Sequence, residues 1–398
     1  MGQNRSGGTV EVYAPLPFAF EFQKVVETLQ LYHGEVKDPE ALISDLNSNV
    51  GDGGIDMVIL GTCEVDLRYG PWQEDLLAAW DARDSAHKFK LACIVHNDVA
   101  WQHSIIEWSR RSAIRILPIS EHVAVAFRRS FLISADSTDA SIRSAGYEYI
   151  PIDVHVPVLD IPLAKDPQPS LILSDAVIQG SFSADRRDYM HIFAELIESL
   201  SRDPKVWGYF PLGPENASYT VDTALPDPPF RLFLVGSGYL EIPSELENIV
   251  PDFYALMSQM DICVPAFSES GYYDVQASST LQWRSSATCV PILVTERIKA
   301  AYTYANDDRA VVTRPAAMRE VEALRALRSR DVSHFLHANG IPSDSPIGHA
   351  AASMMRLGWM RSTTEFRGSR REFGGRTSVL GAAVAGLVNV LFWDFGIS

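Results

Sequence analysis

Two neighbouring arginines, Arg186 and Arg187, follow Gly180 and Ser181 at the end of an apolar run, Ala176–Gln179. Guanidinium groups make bidentate, charge-assisted hydrogen bonds to phosphate oxygens, and glycine lets a backbone come close to an anion. The spacing therefore fits a diphosphate clamp that neutralises charge on a leaving group. The plainer reading of the same residues is a strand-to-helix turn with two solvated arginines. A second phosphate seat is Gln276, Ala277, Ser278, Ser279 and Thr280, where hydroxyls gather at the predicted start of a helix whose first N–H groups lack partners. Ser278 or Ser279 acting only as a helix cap is the structural alternative. Gly236, Ser237 and Gly238 follow another apolar run and permit a tight turn or close approach to a nucleobase or ribose. The third glycine of a dinucleotide fingerprint is missing, which disfavours NAD. His96, with Asn97 and Asp98 behind it, ends the apolar run Lys90–Val95 and is placed to donate to a hydroxyl or a reacting centre. Phe267, Tyr272 and Tyr273 are candidates to line a base or sugar pocket, or else to pack within the protein.

Other chemistries find little footing. His103, His122, His334, His337 and His349 have no spacing that gathers metal ligands, and Asp307-Asp308 reads as a turn, so no metal is expected. There is no G-x-S-x-G elbow and no P-loop, so hydrolase and NTPase readings fall away.

These residues need strands and helices to hold them. Thr9–Tyr13 alternates like a strand, and Phe20–Leu31 has helical spacing. Ile55–Leu60, Lys90–Val95 and Ile114–Ile119 read as buried strands, alternating with helices over Trp72–Ala82, Ser104–Ser112 and Glu121–Phe131; Tyr147–Ile152 completes the set. Apolar strands alternating with helices specify a parallel sheet covered on both faces. Pro157, Pro162, Pro167 and Pro169 then interrupt the pattern, as a linker does. Beyond them the alternation resumes: strands over Ala176–Gln179, Phe230–Val235, Ile262–Pro265 and Pro291–Val294, helices over Arg187–Leu200, Asp252–Met260 and Ser278–Ser286. Lys205–Pro229 reads as a surface insertion, and Met318–Arg330 as a surface helix with a buried stripe.

The expected organisation is an α/β chain of two Rossmann-like domains facing a central cleft: residues 1–156, a linker over 157–170, a second domain over 171–350 and a tail over 351–398. A length of 398 residues suits two cores rather than one. With a net charge of −16 the chain lacks the basic excess that nucleic-acid binding needs. Cys63, Cys93, Cys263 and Cys289 are widely spaced without a CxxC pair, and are expected to be reduced core residues of a cytoplasmic protein. The polar N-terminus carries no signal-peptide pattern. Near the C-terminus, Val379–Trp393 is apolar apart from Asn389 and follows Arg361, Arg367, Arg370, Arg371 and Arg376. It falls short of the roughly 20 residues a spanning helix requires, and is expected to pack on the protein or make peripheral membrane contact.

Four stretches in series give the chain a family resemblance: Leu91–Asn97, ending in His96-Asn97; Ile116–Glu121, ending in Ser120-Glu121; Val177–Ser181 with Arg186, Arg187 and Asp188; and Leu232–Gly238 through Phe253–Asp261 to Pro265, Ser268 and Pro291–Thr295. In order and spacing they resemble the GT-B glycosyltransferases of the group-1, family-4 type, in a divergent, fungal-type form. The resemblance implies a retaining transferase that moves a hexose from a nucleotide diphosphate sugar to an unidentified acceptor. No other cofactor is implied. His96, Arg186 and Arg187 would be catalytic, and Gly180, Ser181, Gly236, Ser237, Gly238, Glu269, Gln276, Ser278, Ser279 and Thr280 would hold the donor. The family's E-x7-E pair, aligned on Pro291, falls on Gln276 and Arg284, with Glu269 upstream. Tyr13–Pro17 also lacks the family's glycine-rich first turn. Those departures leave two alternatives: a catalytically silent protein of the same fold that binds a nucleotide sugar or a partner, and a sugar-nucleotide epimerase.

Overall fold

The computed structural model describes residues 9–15, 32–67, 72–96, 101–155, 172–180, 183–207, 230–235, 260–268, 273, 276–278, 281, 290–302 and 311–329. Among these, residues 9–155 and 276–278 belong to one compact unit, and residues 172–273, 281 and 290–329 to another.

The first unit opens with β1 (Val12–Tyr13), β2 (Val36–Lys37) and α1 (Ala41–Ser48). It continues through β3 (Met57–Leu60), α2 (Cys63–Asp66), α3 (Gln73–Asp81), β4 (Lys90–Val95), a 3-10 turn over Gln102–Ile105, α4 (Ile106–Arg110), β5 (Ile114–Pro118), α5 (Glu121–Ala135) and α6 (Ala140–Arg143). β1 and β2 pair in parallel, and β3, β4 and β5 form a separate parallel sheet in that order. Five of the six residues of β4 are buried, as its apolar run demands of a central strand. Trp108, Phe127, Phe131 and Tyr147 fill the space beneath α4 and α5. Phe127 and Phe131 meet edge to face at 5.6 Å, and each such burial contributes on the order of 2–3 kcal/mol.

Tyr147–Ile152 does not form the expected strand. Tyr147–Tyr149 is a 3-10 turn, and only Ile152 bridges to Ile116. Gly146, in the left-handed region at φ 75°, turns the chain there. Nor is Ser104–Ser112 one helix: the 3-10 turn precedes α4, which stops before Ser112, itself at φ 49°.

The cysteine expectation also needs correcting. Cys63 and Cys93 form a disulfide with Cα atoms 5.2 Å apart. Sequence spacing hides this, because parallel pairing of Leu60 with Cys93 is what carries the first turn of α2 to the neighbouring strand. Cys263 is a free, buried thiol, and Cys289 lies outside the described residues.

The second unit contains β6 (Asp175–Gln179), α7 (Tyr189–Arg202), α8 (Pro204–Trp207), β7 (Arg231–Val235), β8 (Ile262–Cys263), β9 (Ile292–Thr295), α9 (Glu296–Ala301), β10 (Val311–Arg314) and α10 (Glu320–Ser329). Its sheet runs β10-β9-β8-β6-β7, with every pair parallel. α7 buries Tyr189, Ile192, Phe193, Leu196 and Leu200 against this sheet, a 3.6-residue stripe. Beneath the sheet, Asp261 Oδ2 accepts from Ser174 N, Ser174 Oγ and Asp175 N at 2.8, 2.9 and 3.0 Å. Asp261 thus ties β6 to β8 at the end opposite Gly180.

The expected helix over Phe20–Leu31, all but Met260 of the one over Asp252–Met260, the linker at 157–170, most of the insertion after Trp207 and the tail at 351–398 lie outside the described residues. Among the described residues, no helix is long and apolar enough to cross a membrane.

Candidate functional site

Strand order picks out one place in the second unit. From β6 the chain goes to β7 on one side, whereas β8, β9 and β10 build outward on the other. The connections reverse between β6 and β8, and in an open parallel sheet the carboxyl ends of strands at such a reversal are where ligands bind. Gly180 follows β6 there, and Val264–Ser268 follows β8.

The two exits are stitched together. Arg187 and Phe267 form an antiparallel bridge, Asp188 N donates to Ala266 O at 2.9 Å, and Ser268 N donates to Arg186 O at 3.1 Å. Ser268 Oγ also donates to Asp185 O at 2.6 Å. Ala266 adopts φ 53°, a left-handed conformation that turns the chain as it leaves β8. Asp188 caps α7 by accepting from His191 N at 3.2 Å, so in this state the helix terminus is occupied by the protein's own carboxylate.

Arg187 is 3% exposed. Its Nη1 donates to Tyr273 Oη at 3.1 Å. The rings of Phe267 and Tyr273 lie 4.0 Å apart, and the guanidinium carbon sits 5.7 Å from each centroid. Cation–π attraction and the phenol hydrogen bond thus offset part of the cost of burying the charge. Gly180 adopts φ 137°, and a Cβ built on it would collide with Arg187 Nη2, Cζ and Nε. Arg186 is half-buried on the same turn. Gly180, Arg186 and Arg187 are therefore brought together, and Tyr273 joins them from 86 residues further along the chain.

His96 stands at a comparable strand end in the first unit and is 4% exposed. Burial holds its imidazole well below the ordinary histidine range, so the ring is neutral. Its backbone is fixed on both sides: His96 N donates to Glu64 Oε1 at 3.1 Å, and His96 O accepts from Ala277 N at 2.7 Å. His122 Nε2 lies 3.1 Å from Gln276 O. Gln276 and Ser278 are thus counted with His96 rather than with Gly180 and Arg187. Gln276–Ser278 is irregular backbone and Leu281 is helical; the residues between them lie outside the described residues. Ser181, Gly236, Ser237, Gly238, Glu269, Ser279 and Thr280 lie outside the described residues, as do Asn97, Asp98 and Tyr272. Sequence reading passed over Glu64, although a carboxylate four residues after a strand was a visible signal. Among the described residues, no cluster of His, Cys, Asp and Glu is arranged to hold a metal ion.

The fold and the strand ends define an α/β protein with parallel sheets in two compact units. No protein-family model matches the chain, and no curated protein matches it. It is similar to a solved structure, the glycotransferase of kitacinnamycin, at 12% identity and a TM-score of 0.31, over 75% of this chain and 79% of that one. A likeness of that extent fixes neither family nor activity.

Proposed function

We propose that the protein is a glycosyltransferase that takes a hexose from a nucleotide diphosphate sugar and passes it, with retention, to a hydroxylated acceptor. The observation that carries this reading is a cation buried at the strand reversal, where Arg187 lies against Gly180. An anion bound at that strand end gains from a fixed positive charge in low dielectric. Arg186 and the Gly180 backbone meet the diphosphate in this reading, with Arg187 beneath them. Ser181, Gly236, Ser237, Gly238, Glu269 and Thr280 complete the donor contacts. His96 serves the acceptor. No metal and no cofactor beyond the donor take part, and no nucleic acid is a partner. Val379–Trp393 supplies peripheral membrane contact in this reading.

One observation favours the second reading, a nucleotide-sugar-binding protein without transfer: His96 is enclosed and its carbonyl is engaged by Ala277. Melting curves with uridine, guanosine and adenosine diphosphate sugars test both readings, because a ligand bound only to the folded state raises the melting temperature. A rise with one donor, followed by its turnover, supports the transferase. A rise without turnover supports the binding protein, and no rise with any donor rejects both.

A further inference from the structure

Two cross-links fasten α2 to the end of β4, and they stand side by side. Cys63, the first residue of α2, is bonded to Cys93, and Glu64, the second, accepts from His96 N at 3.1 Å. The two partners are unequally held. Cys93 is paired with Leu60 of β3 on one side and Ile116 of β5 on the other, so β4 is anchored along both edges. α2 is a single turn of four residues, too short to be stable by itself. Both cysteines are buried, whereas Val65 and Asp66 on the same turn reach solvent, so opening one turn uncovers the bridge. Two thiols in contact need more room than two bonded sulfurs, and a close-packed interior has little to spare. On reduction the weaker-held side gives way, and Glu64 moves with it.

We propose that the Cys63–Cys93 bridge is a redox switch for the His96 strand end. Oxidised, it holds Glu64 on the His96 amide and keeps the end closed; reduced, it lets α2 move off and frees that amide. A dithiol supplies the two electrons and two protons: Cys63 and Cys93 become thiols, and the reductant leaves as its own disulfide. The switch acts on the strand end itself, whatever ligand binds there, and so does not depend on a sugar nucleotide.

Hydrogen exchange at the His96 amide, measured by NMR on the full chain before and after treatment with dithiothreitol, tests it. Reduction is expected to speed exchange at His96 about tenfold, through loss of one charge-assisted hydrogen bond. Leu91, whose N–H donates to Ala113 O at 2.8 Å near the start of the same strand, is expected to keep its rate. Equal acceleration at both amides makes the bridge a general brace and overturns the switch, as does an unchanged rate at His96. A bridge that dithiothreitol leaves intact in the folded chain, or a chain that unfolds on reduction, overturns it too. Glu64→Ala releases the amide without touching either sulfur, so His96 is expected to exchange fast in the oxidised variant and reduction to add nothing further. A second rise of full size in that variant would show that Glu64 does not carry the effect, and overturns the proposal. Glu64→Gln, which keeps an acceptor oxygen, is expected to keep the response to reduction, and its loss there overturns the proposal even if Glu64→Ala fails to fold.

Discussion

The guanidinium of Arg187 occupies the space that a side chain on residue 180 would need, and Gly180 adopts φ 137° to let it do so. Any Cβ at this position both collides with the cation and strains a backbone conformation open chiefly to glycine. Gly180→Ala is expected to lower the unfolding free energy by about 2–3 kcal/mol and to displace Arg187. Urea denaturation reads the first effect, and loss of pyrophosphate binding reads the second.

Arg83 is a second buried arginine with a wholly structural occupation. It donates to Leu46 O, Asn49 O, Ile55 O and His87 O at 2.8, 2.9, 2.9 and 3.2 Å, and its guanidinium lies 5.2 Å from the Phe89 ring. Arg83→Met strands several backbone carbonyls and is expected to cost about 3–5 kcal/mol. Arg83→Lys should recover little of that, since one ammonium cannot span a four-carbonyl fork. Denaturation of the two variants side by side checks the ordering.

The Cys63–Cys93 bridge spans a sequence separation of 30. Closing a loop of that size restricts the unfolded chain by about 3–4 kcal/mol in the chain-entropy account. Reduction, or the double substitution to alanine, is expected to lower stability by that order. Alkylation of the unreduced, denatured protein should label Cys263 and spare Cys63 and Cys93. Labelling of Cys63 and Cys93 would show that the bridge does not form in the cell that made the protein.

Asp66 is half-buried at the end of α2, and burial pushes its carboxyl from 3.8 up to about 7. The folded protein therefore holds this proton to higher pH than the unfolded chain does. Stability from this group is greatest below about pH 4, declines as pH rises toward 7 and is level above that. Asp66→Asn retains an oxygen for the Thr62 N–H, which donates to Asp66 Oδ2 at 3.2 Å. The variant is expected to be more stable than wild type at pH 8 and to differ little at pH 4. Urea midpoints that differ between the two proteins by the same amount at pH 4 and pH 8 would show that the carboxylate is well solvated.

Much of the fold was legible in the residues. Lys90–Val95 is a strand over the limits its apolar run indicated, and α5 and α7 begin within two residues of where their stripes begin. Side chains at periods of 2 and 3.6 report which face is buried, and both periods are local. The strand β10 and the turn at Tyr147 were not legible, because pairing with a distant neighbour and a single left-handed glycine decided them. Of the candidate site, the sequence indicated Gly180, Arg186 and Arg187 as a group, since a βα turn holds them within eight residues.

By itself, then, the amino-acid order determined an α/β chain with parallel strands and an arginine-bearing turn after one of them. Only the tertiary structure decided that Tyr273 holds Arg187, that Cys63 meets Cys93, and that Gln276 and Ser278 lie with His96. Each of those contacts joins residues tens of positions apart. Short-range periodicity carries no information about which distant strand lies alongside, because the free energy that selects the partner arises only when the whole sheet buries its faces at once.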